Sequence, residues 1–109
     1  MKKVEIIEYE DRYKQDFKYL NYEWIEKSFT VETTDAFILA NPVKAIIDKG
    51  GYIYFARYEN KIVGTFALLK VDEYTFEIAK MAVAQKYQNR GIGKQLMESV
   101  MEKAKLLNI

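Results

Sequence analysis

The chain has 109 residues, 50% of them hydrophobic and 15% aromatic, with 17 basic against 16 acidic side chains and a net charge of +1. That length suits one domain with an adequate core, and a charge balance so near neutral excludes a general nucleic-acid binder, which needs a strongly basic face. Cysteine and histidine are absent, which excludes disulfides, thiolate–imidazole zinc sites, cysteine nucleophiles and Ser-His-Asp triads, and leaves acid–base chemistry to Asp, Glu, Tyr, Lys or water.

Met1-Lys2-Lys3 runs into Val4-Glu5-Ile6-Ile7-Glu8, too short and too charged for a signal peptide. No apolar run approaches membrane-spanning length. A cytoplasmic protein without membrane attachment is expected. Val4 to Tyr9 reads as a short strand. Asp11 is expected to cap the helix that follows, in which Tyr13, Phe17, Leu20, Trp24 and Ser28 keep helical spacing. Trp24 shares the register of Phe17 and Leu20 and reads as core. Thr33 to Lys49 is a second helical region, in one piece or two. Its Pro42 suits a first helical position, and Gly50-Gly51 ends it.

From Tyr52 the pattern changes to strands. Tyr52 to Tyr58 is aromatic and β-branched. Glu59-Asn60 makes a tight connection to Lys61–Val71, where Gly64 marks a bulge or a close backbone contact. Asp72-Glu73 turns the chain into Tyr74–Val83. Ala84 to Asn89 is a loop. From Gly91 a helix carries an apolar stripe of Ile92, Leu96, Val100, Ala104 and Leu107. The predicted order is β-α-α-β-β-β-α, an α/β (α+β) fold with a mostly antiparallel sheet and flanking helices.

Gln88-Asn89-Arg90-Gly91-Ile92-Gly93 is the stretch that carries chemistry. Two glycines at a helix start let backbone approach a ligand closely, and the first N–H groups of the helix are unpaired and partially positive. Such a turn suits a phosphate or pyrophosphate. Between Glu77 and Glu98 lie Lys80, Lys86, Arg90 and Lys94 with no acid among them. This is either a solvated basic patch or an anion site. The glycines themselves either serve the ligand or only allow a tight turn. The stretch is not a P-loop: Gly93-Lys94-Gln95 lacks the earlier glycine and the hydroxyl that follows. Nor is it a dinucleotide fingerprint, because Leu96 stands where a third glycine is needed.

The motif resembles the Q/R-x-x-G-x-G/A sequence of the GCN5-related N-acetyltransferases (GNAT superfamily), with Ala82-Val83 upstream and Ile62-Val63-Gly64 in the preceding strand adding to the likeness. That family places the motif between its fourth strand and third helix, after two helices and a three-strand meander, so the resemblance runs from about Val4 to the end. It implies the N-terminal part of the acyl-CoA N-acyltransferase fold. It also implies acetyl-CoA as co-substrate, no metal, and transfer of acetyl to a primary amine of a small molecule or peptide. Backbone N–H groups over Gln88, Asn89, Arg90, Gly91, Ile92, Gly93 and Lys94 would hold the pyrophosphate. Met81, Ala82 and Val83 would offer strand backbone to the pantetheine arm. Arg90 and Lys94 either add charge there or are surface cations. Glu77 resembles the strand-four glutamate that is the general base in some members. The alternative is an exposed carboxylate paired with a lysine. Tyr22 and Glu23, off the core stripe of the first helix, are candidates to face the acceptor.

Members of the family normally continue with a fifth strand, a fourth helix and a hairpin, so the chain is expected to be a single, C-terminally truncated domain. Tyr74–Val83 then becomes an edge strand, which predicts a homodimer through that edge and the stripe of Leu96, Val100 and Leu107. Rival readings are a non-catalytic CoA-binding module and a self-associating core.

Overall fold

Four strands form one antiparallel sheet in the order β1-β2-β3-β4: β1 is Glu5–Glu8, β2 Tyr52–Tyr58, β3 Lys61–Lys70 and β4 Phe76–Val83. The computed structural model describes residues 4–28 and 33–108, the side chains of 24–28 and 33–35 excepted. The expected core position of Trp24 lies outside those described side chains. Strands β2 to β4 are a meander because their connections are turn-forming. Glu59 and Asn60 take φ of 49° and 65°, the paired left-handed residues of a type I′ hairpin. At the next turn the Asp72 carboxylate accepts the Tyr74 N–H at 2.9 Å. Beyond β1, the Tyr9 N–H donates to the Ile53 carbonyl at 3.0 Å.

The helices fall where the apolar spacing predicts, with local differences. A 3₁₀ turn, Asp11–Tyr13, precedes α1, Lys14–Ser28, and opens without a side-chain cap bond, so Asp11 does not cap. The second helical region is in two pieces. Helix α2, Thr33–Ala40, ends where both the backbone N–H and the side-chain amide of Asn41 donate to the Phe37 carbonyl. After Pro42 comes one π-helical turn, Val43–Ile47, closed by the Asp48 N–H on the Val43 carbonyl at 2.7 Å. Helix α3 is Ile92–Leu107.

The sheet is covered on both faces. Tyr13, Phe17, Leu39 and Ile46 pack on one face against Ile53, Phe55 and Ala67. On the other, Ile92, Leu96 and Val100 of α3 pack against Tyr54, Phe66 and Leu68. Leu96 and Val100 are thereby 0% and 2% exposed. This corrects one expectation: the α3 stripe is spent on the chain's own sheet and is not a surface for a second copy. The exposed apolar side chains of α3 are Met97, Met101 and Leu106. Gly64 meets the close-contact expectation. A Cβ there would stand 3.1 Å from Leu96 Cδ1 and 3.4 Å from Ala56 Cβ.

Two irregularities shape the meander. Pairing between β2 and β3 shifts after Ala56↔Gly64, so that Val63 is extra. Pairing between β3 and β4 shifts between Thr65↔Ala82 and Ala67↔Ala79, so that Lys80 and Met81 together oppose Phe66. Lys80 takes φ of 53° at this bulge, a conformation that costs a residue bearing a Cβ about 1 kcal/mol or more. The bulge changes the phase of the strand. Glu77 lies opposite Leu69, which packs on the α1 side, whereas Met81 and Val83 pack on the α3 side.

Candidate functional site

The end of β4 and the start of α3 enclose a cleft of about 360 Å³ lined by Met81, Ala82, Val83, Tyr87, Gln88, Asn89 and Gly93. The connection between them is partly regular. A 3₁₀ turn, Gln85–Tyr87, occupies the middle of what the sequence presents as plain loop. It is fixed at both ends. The Gln85 N–H donates to Glu23 Oε1 of α1 at 2.6 Å, and the side-chain amide of Gln88 donates to the Val83 carbonyl at 3.1 Å. Tyr87 packs on the α3-side core, edge-on to Tyr58 with centroids 6.1 Å apart.

Asn89 and Gly91 adopt φ of 64° and 80°, and the first bond into the helix is from the Gln95 N–H to the Gly91 carbonyl. Among the described residues none accepts from the backbone N–H groups of Asn89 to Lys94. Four of these, from Gly91 to Lys94, are the orphan donors of any helix start, and the left-handed turn before them adds Asn89 and Arg90. The 16-residue α3 adds its positive end, with no acid in its first turn.

The glycines separate the two readings of the turn. Gly91 needs its positive φ. Gly93 has no such need, and a Cβ at either position would meet no protein atom within 4 Å. Gly93 lines the cleft, and the space beside its Cα is open. Open N–H groups beside two glycines are the kind of backbone that suits a phosphate or diphosphate.

The expected site residues divide by what they can offer. Met81, Ala82, Val83, Gln88, Asn89 and Gly93 line the cleft. Ile92 is 3% exposed within the core, so only its N–H is available. Arg90 stacks its guanidinium over the Tyr87 ring at 5.3 Å, beside the turn. Lys94 is exposed on the first turn of α3. The bond from the Ala84 N–H to the Val63 carbonyl fixes the alternation at the end of β4. Ala82 bonds inward to β3, and Met81 and Val83 direct their backbone groups outward. The Val83 carbonyl already accepts from Gln88, so the outward N–H of that residue is its open group.

Glu77 is not in this cleft. It sits before the bulge, exposed, on the α1 side of β4. Tyr22 and Glu23 do not present a joint acceptor surface. Tyr22 packs on the α1-side core, and the Glu23 carboxylate is engaged with Gln85. Tyr87 was missed in the sequence; an aromatic directly before the glycine motif is the signal that marks it. Among the described residues no group of His, Cys, Asp or Glu is arranged to hold a metal ion, and no helix is long and apolar enough to cross a membrane.

The sequence matches the model of the acetyltransferase (GNAT) family over residues 7–109. It is 39% identical over 79 residues to the uncharacterised N-acetyltransferase YvbK of Bacillus subtilis (strain 168), a match that takes in 70% of this chain and 51% of that protein. The chain thus spans about half the length of the curated relative it matches. Its structure is similar to an acetyltransferase of the GNAT family from Staphylococcus aureus Mu50, with a TM-score of 0.84 and 28% identity over 98% of this chain and 69% of that one. It is also similar to a GNAT family acetyltransferase from Elizabethkingia anophelis with acetyl-CoA bound, with a TM-score of 0.60 and 33% identity over 98% and 61%.

Proposed function

Because the chain belongs to the acetyltransferase (GNAT) family, we propose that its cleft binds acetyl-CoA and serves transfer of the acetyl group to a primary amine. The observation that carries this reading is the row of unclaimed N–H groups from Asn89 to Lys94 around two glycines whose side-chain space is empty. These donors, with the α3 dipole and the nearby Arg90 and Lys94, take the diphosphate. The outward N–H of Val83 and backbone of Met81 take amides of the pantetheine arm in the manner of an added strand. When bound, the thioester supplies an acyl carbon that a neutral amine attacks, so that the C–N bond forms as the C–S bond breaks and the thiol departs.

The ammonium proton must leave before attack. Glu77 is our proposed base. Its carboxylate is open to water on the α1 side of β4, so the proton passes through solvent rather than by contact in a dry pocket. No side chain here is proposed as the acid for the thiolate.

The bulge at Lys80 divides the outer edge of β4. Met81 and Val83 serve the cofactor, which leaves Phe76 to Ala79 as a separate edge, with Ile78 44% exposed. An antiparallel edge of this kind is complementary to its own copy, and we propose that a second chain pairs there. The cytoplasmic setting expected from the sequence goes with this reading.

Calorimetry with CoA tests binding, and thiol release over a panel of amines tests turnover. Micromolar affinity for CoA with amine-dependent thiol release is the expected result. Affinity without release leaves a binding module, and absence of both removes the transferase reading. Light scattering that gives a clean monomer at micromolar concentration removes the paired edge.

A further inference from the structure

The turn that precedes the N–H cradle is held to the rest of the protein by one long-range polar bond among the described residues. Glu23 on α1 accepts the Gln85 N–H at 2.6 Å across 62 positions of sequence. Ala84 just before the turn bonds to Val63 as the end of β4, and the other polar ties of Gln85 to Gln88 are local. Tyr87 N–H bonds to the Ala84 carbonyl, Gln88 N–H to the Gln85 carbonyl, and the Gln88 side chain to Val83. Gln85 is the first residue of the 3₁₀ turn, whose N–H has no partner within the turn itself. The carboxylate therefore caps the turn from another layer of the fold, and a charged acceptor at this distance makes a strong bond even near solvent.

What the turn carries makes the cap matter. Two residues after Gln85 comes Tyr87, which supports Arg90 and lines the cleft, and next comes Gln88, whose amide closes on β4. The donors from Asn89 to Lys94 continue directly from there and have no acceptor among the described residues. Their arrangement is thus set from the two anchored ends, α3 on one side and the Glu23-capped turn on the other. Helix α1, which lies on the opposite face of the sheet from α3, reaches around the end of β4 to fix the turn.

We propose that Glu23 is a positioning residue for CoA binding: by capping Gln85 from α1 it holds the following segment in the shape that receives the diphosphate. This rests on the reading of the cleft as a CoA site. The carboxylate is engaged with Gln85 and is not among the residues that line the cleft.

The test uses the full chain with Glu23→Ala and Glu23→Gln. The glutamine keeps an oxygen acceptor in place without its charge. Three quantities are measured: affinity for CoA by calorimetry, the thermal unfolding midpoint, and amide hydrogen exchange over residues 85–94 without ligand. Glu23→Ala is expected to weaken CoA binding about tenfold, with faster exchange confined to that segment and little change in the midpoint. Glu23→Gln is expected to recover most of the affinity. Unchanged affinity and exchange in Glu23→Ala, in a wild type that binds CoA, overturns the positioning role alone. A drop in affinity matched by exchange rising across the whole sheet makes Glu23 merely structural and also overturns it. A wild type without CoA affinity overturns the cleft reading and this role with it, whereas the exchange data still decide whether the cap orders the turn.

Discussion

The Gln88 side chain folds back onto the Val83 carbonyl, five residues earlier and 3.1 Å away, which ties the last residue of β4 to the first residue of the glycine motif. The side-chain amide of the motif's glutamine is thereby engaged within the protein. Gln88→Ala removes one partly buried neutral bond, worth about 1 kcal/mol. The expected outcome is CoA binding weakened about fivefold in calorimetry with almost no change in the unfolding midpoint.

Gly93 gives a prediction in which two effects have opposite signs. Gly93→Ala puts a methyl into space that no protein atom occupies and improves helix propensity, so the fold should gain about 0.5 kcal/mol. The same methyl stands in the cradle, so CoA affinity should fall at least tenfold. Denaturant unfolding and calorimetry on one sample check both. A variant that is more stable and binds as well as wild type removes the cradle.

At Gly91 both effects run the same way. Its φ of 80° belongs to the left-handed region, and a β-branched side chain there costs about 1–2 kcal/mol. Gly91→Val is expected to lose that stability in denaturant unfolding and to abolish detectable CoA binding.

Lys80 tests the bulge. Lys80→Val places a β-branched residue at φ of 53° and should cost about 1–2 kcal/mol. If the strand instead regains regular pairing, Met81 and Val83 turn to the α1 side. Loss of CoA binding together with changed amide exchange at Ala79 to Ala82 would report that slip.

Tyr9 predicts alkaline behaviour. Burial, and then the negative charge of Asp11, push its phenol up to about 12 from 10.0. The neutral form is favoured by folding, so its stabilising contribution is complete below pH 10 and disappears as pH climbs toward 12. Tyr9→Phe is expected to flatten the fall in unfolding midpoint over that interval, as read by circular dichroism.

The parts of this structure legible in the sequence are those decided locally. Alternating aromatic and β-branched residues fix β2 and β3, Glu59-Asn60 fixes their hairpin, and the spacing of Ile92, Leu96 and Val100 fixes which side of α3 is buried. The glycine turn into α3 was legible because its determinants lie within six consecutive residues. The rest depends on distant partners. Nothing in the composition of β4 marks Lys80 as left-handed; the pairing of Thr65 and Ala67 across the strand imposes it. Glu23 reads in the sequence as a candidate to face the acceptor, and only the approach of Gln85 from 62 residues away reveals its bond to the turn. The apolar stripe of α3 was read as an interface because periodicity reports that a side is covered without saying by what.

Gly64 is a spacer under the cleft. It lies in the middle layer with Leu96 Cδ1 3.1 Å from where its Cβ would be, while Leu96 sits one turn below the first N–H groups of α3. A methyl at Gly64 would require Leu96 to give by a few tenths of an ångström, and a larger side chain would pass a larger displacement to α3 and its row of amides, like a shim under a hinge plate. Defects in ligand recognition can therefore arise from a strand residue that no ligand ever reaches.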